Sequence, residues 1–344
     1  MSELPFVSVI VVNFNGRRHL ANCLTSLAEQ TYPRHRYEVI VVDNASSDGS
    51  VDFLRSDFPW VRLIEASANL GFAAGNNAGF EVARGEWIAL LNNDASAEPE
   101  WLEAAVGAGE GSTPHPSPPP QGGRGPEGGG RRLKFSRRGK EIGGIASHIV
   151  FRDAPERVNS TGLIVLRDGR GADRDFGKTG VLRERGDVFG GCGAGLVLRR
   201  TMLDELGLFD SKLFMYYEDL DLAWRAQRRG WRFVYEPRAR VHHVFGASAG
   251  VASPLQTRFV ERNRCLVNLR HAPLPVAIAT ALGSFARLGR SVWRQQPLKQ
   301  QWASLKAIGG IATSLLPVVL ARWQSRSDLR QLAESRMRKW LGKV

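Results

Sequence analysis

The stretch LFMYYEDLDLAWRAQRRGW, Leu213 to Trp231, sets Glu218, Asp219 and Asp221 within four positions, directly after Met215, Tyr216 and Tyr217. Carboxylates crowded against an apolar wall keep their protons to higher pH, which suits a general base. The same acids also suit a plain helix start. Negative side chains complement the dipole of a first turn, and Asp is a favoured cap. Leu220, Ala223 and Trp224 supply the stripe such a helix would bury. Further on, VHHVFGAS places His242 and His243 just beyond a short strand pattern, where a histidine pair is a metal candidate. ALLNNDA ends an apolar run on Asp94. That is one way to offer a carboxylate to Mg²⁺ or Mn²⁺, which prefer oxygen ligands and share them with phosphates; a capped turn before a helix near Glu98 is the alternative. NLGFAAGNNAG is glycine-rich and opens a helix, so its amides could face a phosphate, though it matches neither a Walker A loop nor GxGxxG.

These residues must be carried by elements, and the first hundred positions alternate strand and helix signals. Val7–Val12, Glu38–Val42, Val61–Glu65 and Trp87–Leu91 read as strands. Arg17–Gln30 has helical spacing, with Leu20, Cys23, Leu24 and Leu27 on one face. The polar turn Asp43–Gly49 caps a short helix through Leu54. Such repetition predicts a mostly parallel, doubly wound sheet, in which ligands bind beyond the carboxyl ends of the strands. Asp43 and Asp94 both fall there. From Gly107 to Gly144 the pattern gives way to Pro, Gly and Ser followed by a basic cluster, an expected disordered insertion that the fold tolerates. Beyond it, Ser147–Phe151 and Leu163–Leu166 are expected strands and Arg167–Asp187 a long loop. Leu196–Arg199 is a strand, Thr201 caps a helix over Met202–Leu206, and Arg232–Tyr235 is the last strand.

The bulk composition is globular, with 43% apolar and 24% charged residues. Cys23, Cys192 and Cys265 are scattered and form no CxxC, so a disulfide framework and a zinc site are not expected and a reducing, cytoplasmic setting fits. The start of the chain has no signal-peptide pattern, and no run of 18 apolar residues is expected to span a membrane. The net charge of +13 is carried entirely by Gln256–Val344, with 16 Lys/Arg against 3 Asp/Glu. There, the apolar helical runs Pro273–Leu288 and Leu305–Leu320 are flanked by Arg287, Arg290, Arg294, Lys299, Lys306 and Arg322, with Trp293, Trp302 and Trp323. That composition suits helices lying on an anionic membrane surface; packing on the main domain or on a second copy is the alternative.

In order, Val7–Val12 with Asn13-Phe14-Asn15-Gly16, VVDNASSDGS, NLGFAAGNNAGF, LLNNDA, GLFDSKLFMYYEDLDLAWRAQRRGW and the His pair resemble the family 2 inverting glycosyltransferases of GT-A fold, especially the rhamnosyltransferase-like branch. The resemblance covers Pro5–Val106 and Ile142–Arg270. It implies a Rossmann-like mixed α/β sheet flanked by helices. Residues 1–106 would be the nucleotide-sugar half, 107–141 the insertion, 142–271 the acceptor and catalytic half, and 272–344 a basic helical region. It implies transfer from a nucleoside-diphosphate sugar, dTDP-rhamnose first or a UDP-sugar, to a hydroxyl of a growing glycan or lipid-linked acceptor. By resemblance, Asn13 and Asn15 lie near the nucleotide, Asp43 holds its base or ribose, and Asn69, Gly71, Gly75 and Asn76 form the covering loop, with Asn44 and Asn93 beside them. Asn92-Asn93-Asp94 stands where the family has a DxD-type motif and keeps only the last acid, so Asp94 would bind Mg²⁺ or Mn²⁺. His243, five residues before Ser248, would complete that site, with His242 second. Asp219 matches the base, with Glu218 and Asp221 crowded around it. The implied location is the cytoplasmic face of the inner membrane. A non-catalytic nucleotide-sugar binder is the main alternative. A nucleic-acid binder finds no base-reading motif, and no nucleic-acid partner is expected; a dehydrogenase lacks its GxGxxG.

Overall fold

The computed structural model describes residues 3–111, 141–166, 168–181, 183–245, 253–293 and 297–324, with backbone alone at some positions of the last two helices. Most of the expected insertion, and Ser248, lie outside the described residues. The chain runs β1 (Val7–Asn13), α1 (Arg17–Ala28), β2 (Tyr37–Asp43), α2 (Ser50–Asp57), β3 (Arg62–Glu65), α3 (Gly71–Val82), β4 (Trp87–Leu91), β5 (Ala95–Ala97) and α4 (Trp101–Gly109). It continues through β6 (Ile142–Phe151), β7 (Ala154–Ser160), β8 (Leu163–Val165), β9 (Gly171–Asp173), β10 (Gly186–Val188), β11 (Gly195–Arg199), α5 (Arg200–Leu206), α6 (Glu218–Arg229) and β12 (Arg232–His243). Three helices close it: α7 (Pro254–His271), α8 (Leu274–Trp293) and α9 (Leu298–Gln324).

One mixed sheet carries the architecture, in the order β10-β12-β6-β11-β4-β1-β2-β3. β4, β1, β2 and β3 are parallel; β11 enters antiparallel to both β4 and β6. The strands on either side of residues 112–140 therefore share one sheet. Its central strands are buried on both faces, which is why β1, β2 and β4 are near-continuous apolar runs. Val7, Val9 and Val11 meet Leu20, Leu24 and Trp101 on one face, while Ile10 meets Ile40, Leu90 and Trp224 on the other. A Cβ on Gly75 would stand 2.8 Å from a Val12 methyl, so glycine there lets α3 lie tight on β1.

Four expectations are corrected. Residues 107–109 continue α4 rather than opening the insertion, because the last helical turn packs on Trp87; a Cβ on Gly109 would come within 2.3 Å of that ring. The stretch expected as a loop after Arg167 contains β9, paired with β8, and β10, paired with β12. Thr201 caps nothing: α5 starts from Arg199, and its cap makes no side-chain hydrogen bond. The His pair ends a strand rather than following one, since β12 runs through a register shift between Glu236 and Arg240 and continues to His243.

Candidate active site

Strand register assembles the first group of side chains. Asn13 and Asp43 end two parallel strands and are direct partners. The Asn13 amide donates to Asp43 Oδ1 at 2.9 Å and to Ser46 Oγ at 3.1 Å, and Asp43 Oδ2 accepts from the Ser46 amide at 2.8 Å. Asn93 donates to Asn13 Oδ1 at 2.8 Å, which ties the turn after β4 to the same cluster. Asn15, exposed and in the left-handed region at φ 50°, takes the Ser47 amide at 2.8 Å. The result is a rigid polar edge where β1, β2 and β4 end.

The remaining loop candidates hold backbone in place. Asn44 donates to the Gly71 carbonyl at 3.0 Å, and Asn69 accepts from the Gly71 amide at 2.9 Å. Asn76 donates to its own helix at Phe72. Gly71 sits at φ +75°, and a Cβ there would strike the Phe214 ring at 2.5 Å. That contact presses the start of α3 against the loop before α6, and the Ala73 amide completes it by donating to the Phe214 carbonyl at 3.0 Å.

The second group forms where β5 pairs β12, with His243 opposite Ala95. His243 Nε2 stands 3.2 Å from Asp94 Oδ1, and the Val244 amide donates to the Asp94 carbonyl at 3.1 Å. Asn159 Oδ1 lies 3.2 Å from His243 Nδ1. In the tautomer that donates Nδ1–H to Asn159, Nε2 is the nitrogen that could ligate an ion beside Asp94. His242 instead pairs with Glu98 at 3.1 Å, as expected for neighbours on opposite faces of a strand. A carboxylate oxygen and an imidazole nitrogen 3.2 Å apart fit two ligands of one divalent ion. Among the described residues no group of three His, Cys, Asp or Glu side chains is gathered for a metal, so an ion there would take its other ligands from phosphate and water, as Mg²⁺ and Mn²⁺ do.

Asp219 occupies the first turn of α6. Its Oδ2 accepts from the Gly193 amide at 3.2 Å and its Oδ1 from the Leu220 amide at 2.7 Å. Burial, then the charge of Asp173, push its pKa up to about 6, while those amides pull the other way. Glu218 is buried, and desolvation followed by the charge of Asp219 raise it well above the usual range. Asp221 is different. Burial would raise it, but the hydrogen bond and charge of His271, with Arg225 and Arg270, outweigh burial and hold it well below the usual carboxylate range. His271 and Arg225 both approach it at 2.8 Å. Asp221 thus sits at the centre of an ion-pair cluster, and two residues apart on a helix it does not share a face with Asp219.

The two ends belong together. The turn that donates Gly193 to Asp219 also accepts the Asn92 amide on Ala194 at 3.2 Å. Asp173 raises Asp219 by its charge; burial raises Asp173 itself, against the pull of Ser160, Cys192 and His243. Tyr216 is raised by burial and then by the charges of Glu218 and Asp94, so it lies within electrostatic reach of both. Sequence motifs had passed over Asp173, Asn159, Gly193 and Asn263. Asn263 of α7 donates to the carbonyls of Leu213, Met215 and Tyr216 at 2.7, 2.9 and 2.8 Å. It thereby fastens a loop in which Phe214, Tyr216 and Tyr217 all have positive φ.

Two family descriptions match the chain: Glycosyl transferase family 2 over residues 8–112, and Glycosyltransferase like family 2 over residues 159–264. The chain belongs to the family 2 glycosyltransferases. Its relatives include the N-acetylglucosaminyl-diphospho-decaprenol L-rhamnosyltransferase of Mycobacterium tuberculosis, 28% identical over 70% of this chain and 77% of that one. Glycosyltransferase AglE of Haloferax volcanii is 37% identical over 30% of this glycosyltransferase; the match spans 36% of AglE, about a third of its length. The fold resembles the mannosyltransferase PcManGT of Pyrobaculum calidifontis, solved with GDP-Man and Mn²⁺, at TM-score 0.52 and 18% identity over 94% of this chain and 80% of that one. It also resembles S. aureus TarS 1–349 with UDP, at TM-score 0.52 and 17% identity over 97% and 87%. These likenesses establish the GT-A fold of the glycosyltransferase.

Proposed function

We propose that this glycosyltransferase inverts the sugar it transfers, with Asp219 as the base. A sugar leaves a nucleoside diphosphate and joins a hydroxyl of a glycan or lipid-linked acceptor. The observation that supports this most is the setting of Asp219. It is a half-buried carboxylate with its pKa raised to about 6, linked through the Gly193–Ala194 turn to the turn that bears Asp94. Asn13, Asp43 and Asn93 hold the nucleotide end, and the order of their hydrogen bonds leaves little to reorganise when it binds. Asp94 and His243 would hold Mg²⁺ or Mn²⁺, and the chemistry supplied there is neutralisation of the charge the diphosphate gains as it departs. Asp219 takes the proton of the acceptor hydroxyl as that oxygen bonds to C1. The C1–O bond to phosphate breaks on the opposite side, the diphosphate keeps the electron pair, and the anomeric centre inverts. The rhamnosyl donor is favoured by the resemblance and by the 28% identical mycobacterial relative, an L-rhamnosyltransferase named for a decaprenol-linked acceptor.

Membrane contact is part of the proposal. Leu274, Ile278 and Leu282 are exposed one turn apart on α8, and Leu298, Trp302 and Leu305 are exposed on α9. The segment that carries them holds the whole positive surplus of the chain, which suits an anionic bilayer on the cytoplasmic side. No helix among the described residues is long and apolar enough to cross a membrane.

The test is a matrix of dTDP-rhamnose, UDP-sugars and GDP-mannose with sugar acceptors, with and without Mn²⁺, reading product anomer by NMR. Product with the anomeric configuration opposite to the donor is expected. Retained configuration removes the mechanism, and donor binding without turnover across the matrix favours a non-catalytic binder.

A further inference from the structure

Three phenylalanines from distant parts of the chain meet beside the Asp94–His243 pair. Phe151 ends β6, Phe176 follows β9 and Phe245 follows β12. Their centroids are 5.4, 5.8 and 5.2 Å apart, all edge to face. Phe176 is 46% exposed and Phe245 40% exposed. Single exposed rings are ordinary, but three in mutual contact make an apolar patch that folding alone does not require.

The patch has chemical neighbours on two sides. Phe151 is the strand partner of His243, and the Arg152 amide donates to the His243 carbonyl at 3.0 Å. On the other side the Phe176 amide donates to the Asp173 carbonyl at 3.4 Å. The carboxylate of Asp173 has an oxygen, Oδ1, that is shielded from solvent and has no hydrogen-bond partner. A buried acceptor of this kind is costly unless a donor arrives. An apolar platform and an orphan acceptor thus sit on one short segment next to the base.

We propose that Asp173 with Phe151, Phe176 and Phe245 forms the acceptor subsite, and that its occupant is a sugar ring. The rings take the C–H face of the pyranose, and Asp173 accepts a hydroxyl at its rim. This chemistry matches both halves of the site: a purely hydrocarbon ligand would leave Asp173 Oδ1 unsatisfied. The nucleotide is excluded because Asn13, Asp43 and Asn93 already take it at the other end. The inference rests on the transferase reading above.

The experiment measures transfer to paired acceptors, methyl and octyl glycosides of N-acetylglucosamine, glucose and galactose, by wild type, Phe176→Ala, Phe245→Ala, Phe176→Trp and Asp173→Asn. Each ring lost to alanine is expected to raise the acceptor KM about tenfold, in line with the worth of one stacking ring, while donor KM moves less than about twofold and Phe176→Trp retains the wild-type acceptor KM. Asp173→Asn is expected to raise acceptor KM with methyl and octyl glycosides alike. Unchanged acceptor KM in both alanine variants, or an equal rise in donor KM, overturns the subsite. Losses confined to octyl glycosides also overturn it, since the rings would then be holding a lipid chain. Failure of wild type to transfer to any acceptor counts against the transferase reading itself, and so is distinguishable from failure of the subsite alone.

Discussion

The carboxylates of α6 have two opposite fates within four residues, and each fate has a physical cause. Asp219 is pushed up to about 6 by burial and by Asp173. A base must be ionised to work, so kcat is expected to fall as pH drops through about 6, following that pKa. Asp173→Asn removes a negative charge that raises Asp219, so the acid limb of the profile is expected to move to lower pH; an unmoved limb would mean that the two carboxylates do not sense each other. Asp221 works the other way. Its folded-state pKa lies below the unfolded value, so its stabilising contribution is present above the unfolded carboxylate range and is lost as pH falls through its folded value. Asp221→Ala takes the buried carboxylate from His271 and Arg225, and the weaker of two carboxylates from Arg270, and is expected to cost about 3–5 kcal/mol, the usual cost of breaking a buried pair, measured by urea unfolding. Helical geometry could have separated Asp219 from Asp221 in advance, because positions two apart face different ways. Asp173 could not be found that way. It lies on a three-residue strand too short to show any period.

At the level of elements, the strands that position the nucleotide end were legible because both of their faces are buried. β1, β2 and β4 are apolar runs that stop on polar residues. β12 was legible only to Tyr235. Glu236, Pro237 and Arg238 interrupt the apolar pattern, and only the parallel partner β6 carries the strand across the register shift to His243. The loop before α6 was illegible for a different reason: its left-handed residues are held by Asn263, nearly fifty positions away. Asn263→Ala removes the side-chain donor shared by three carbonyls, of which Leu213's keeps the Met215 amide, and is expected to cost about 1–3 kcal/mol. Hydrogen exchange should quicken in the first turn of α6, and kcat should fall more than donor affinity. Unchanged exchange would show that the loop holds its shape without α7.

For the whole molecule, one sheet joins both halves of the chain, and a positively charged helical segment follows them. The apolar stripe on α8 and α9 predicts that Leu282→Glu with Trp302→Glu will abolish pelleting with vesicles containing phosphatidylglycerol, while leaving the melting temperature within about 2 °C because both side chains are exposed. Pelleting that survives these changes would remove the membrane surface from the proposal. Tighter, salt-sensitive binding to RNA than to vesicles would assign the basic segment to nucleic acid instead.

The central claim is that Asp219 acts as base in the same site in which Asp43, Asp94 and His243 hold the donor. The most direct measurement compares Asp219→Asn with wild type for calorimetric binding of the nucleoside diphosphate with Mn²⁺ and for transfer from the matching donor. Donor-side affinity within about threefold and turnover lower by about 10²–10⁴-fold is the predicted result. Turnover within about threefold of wild type, with the variant folded, would contradict the account.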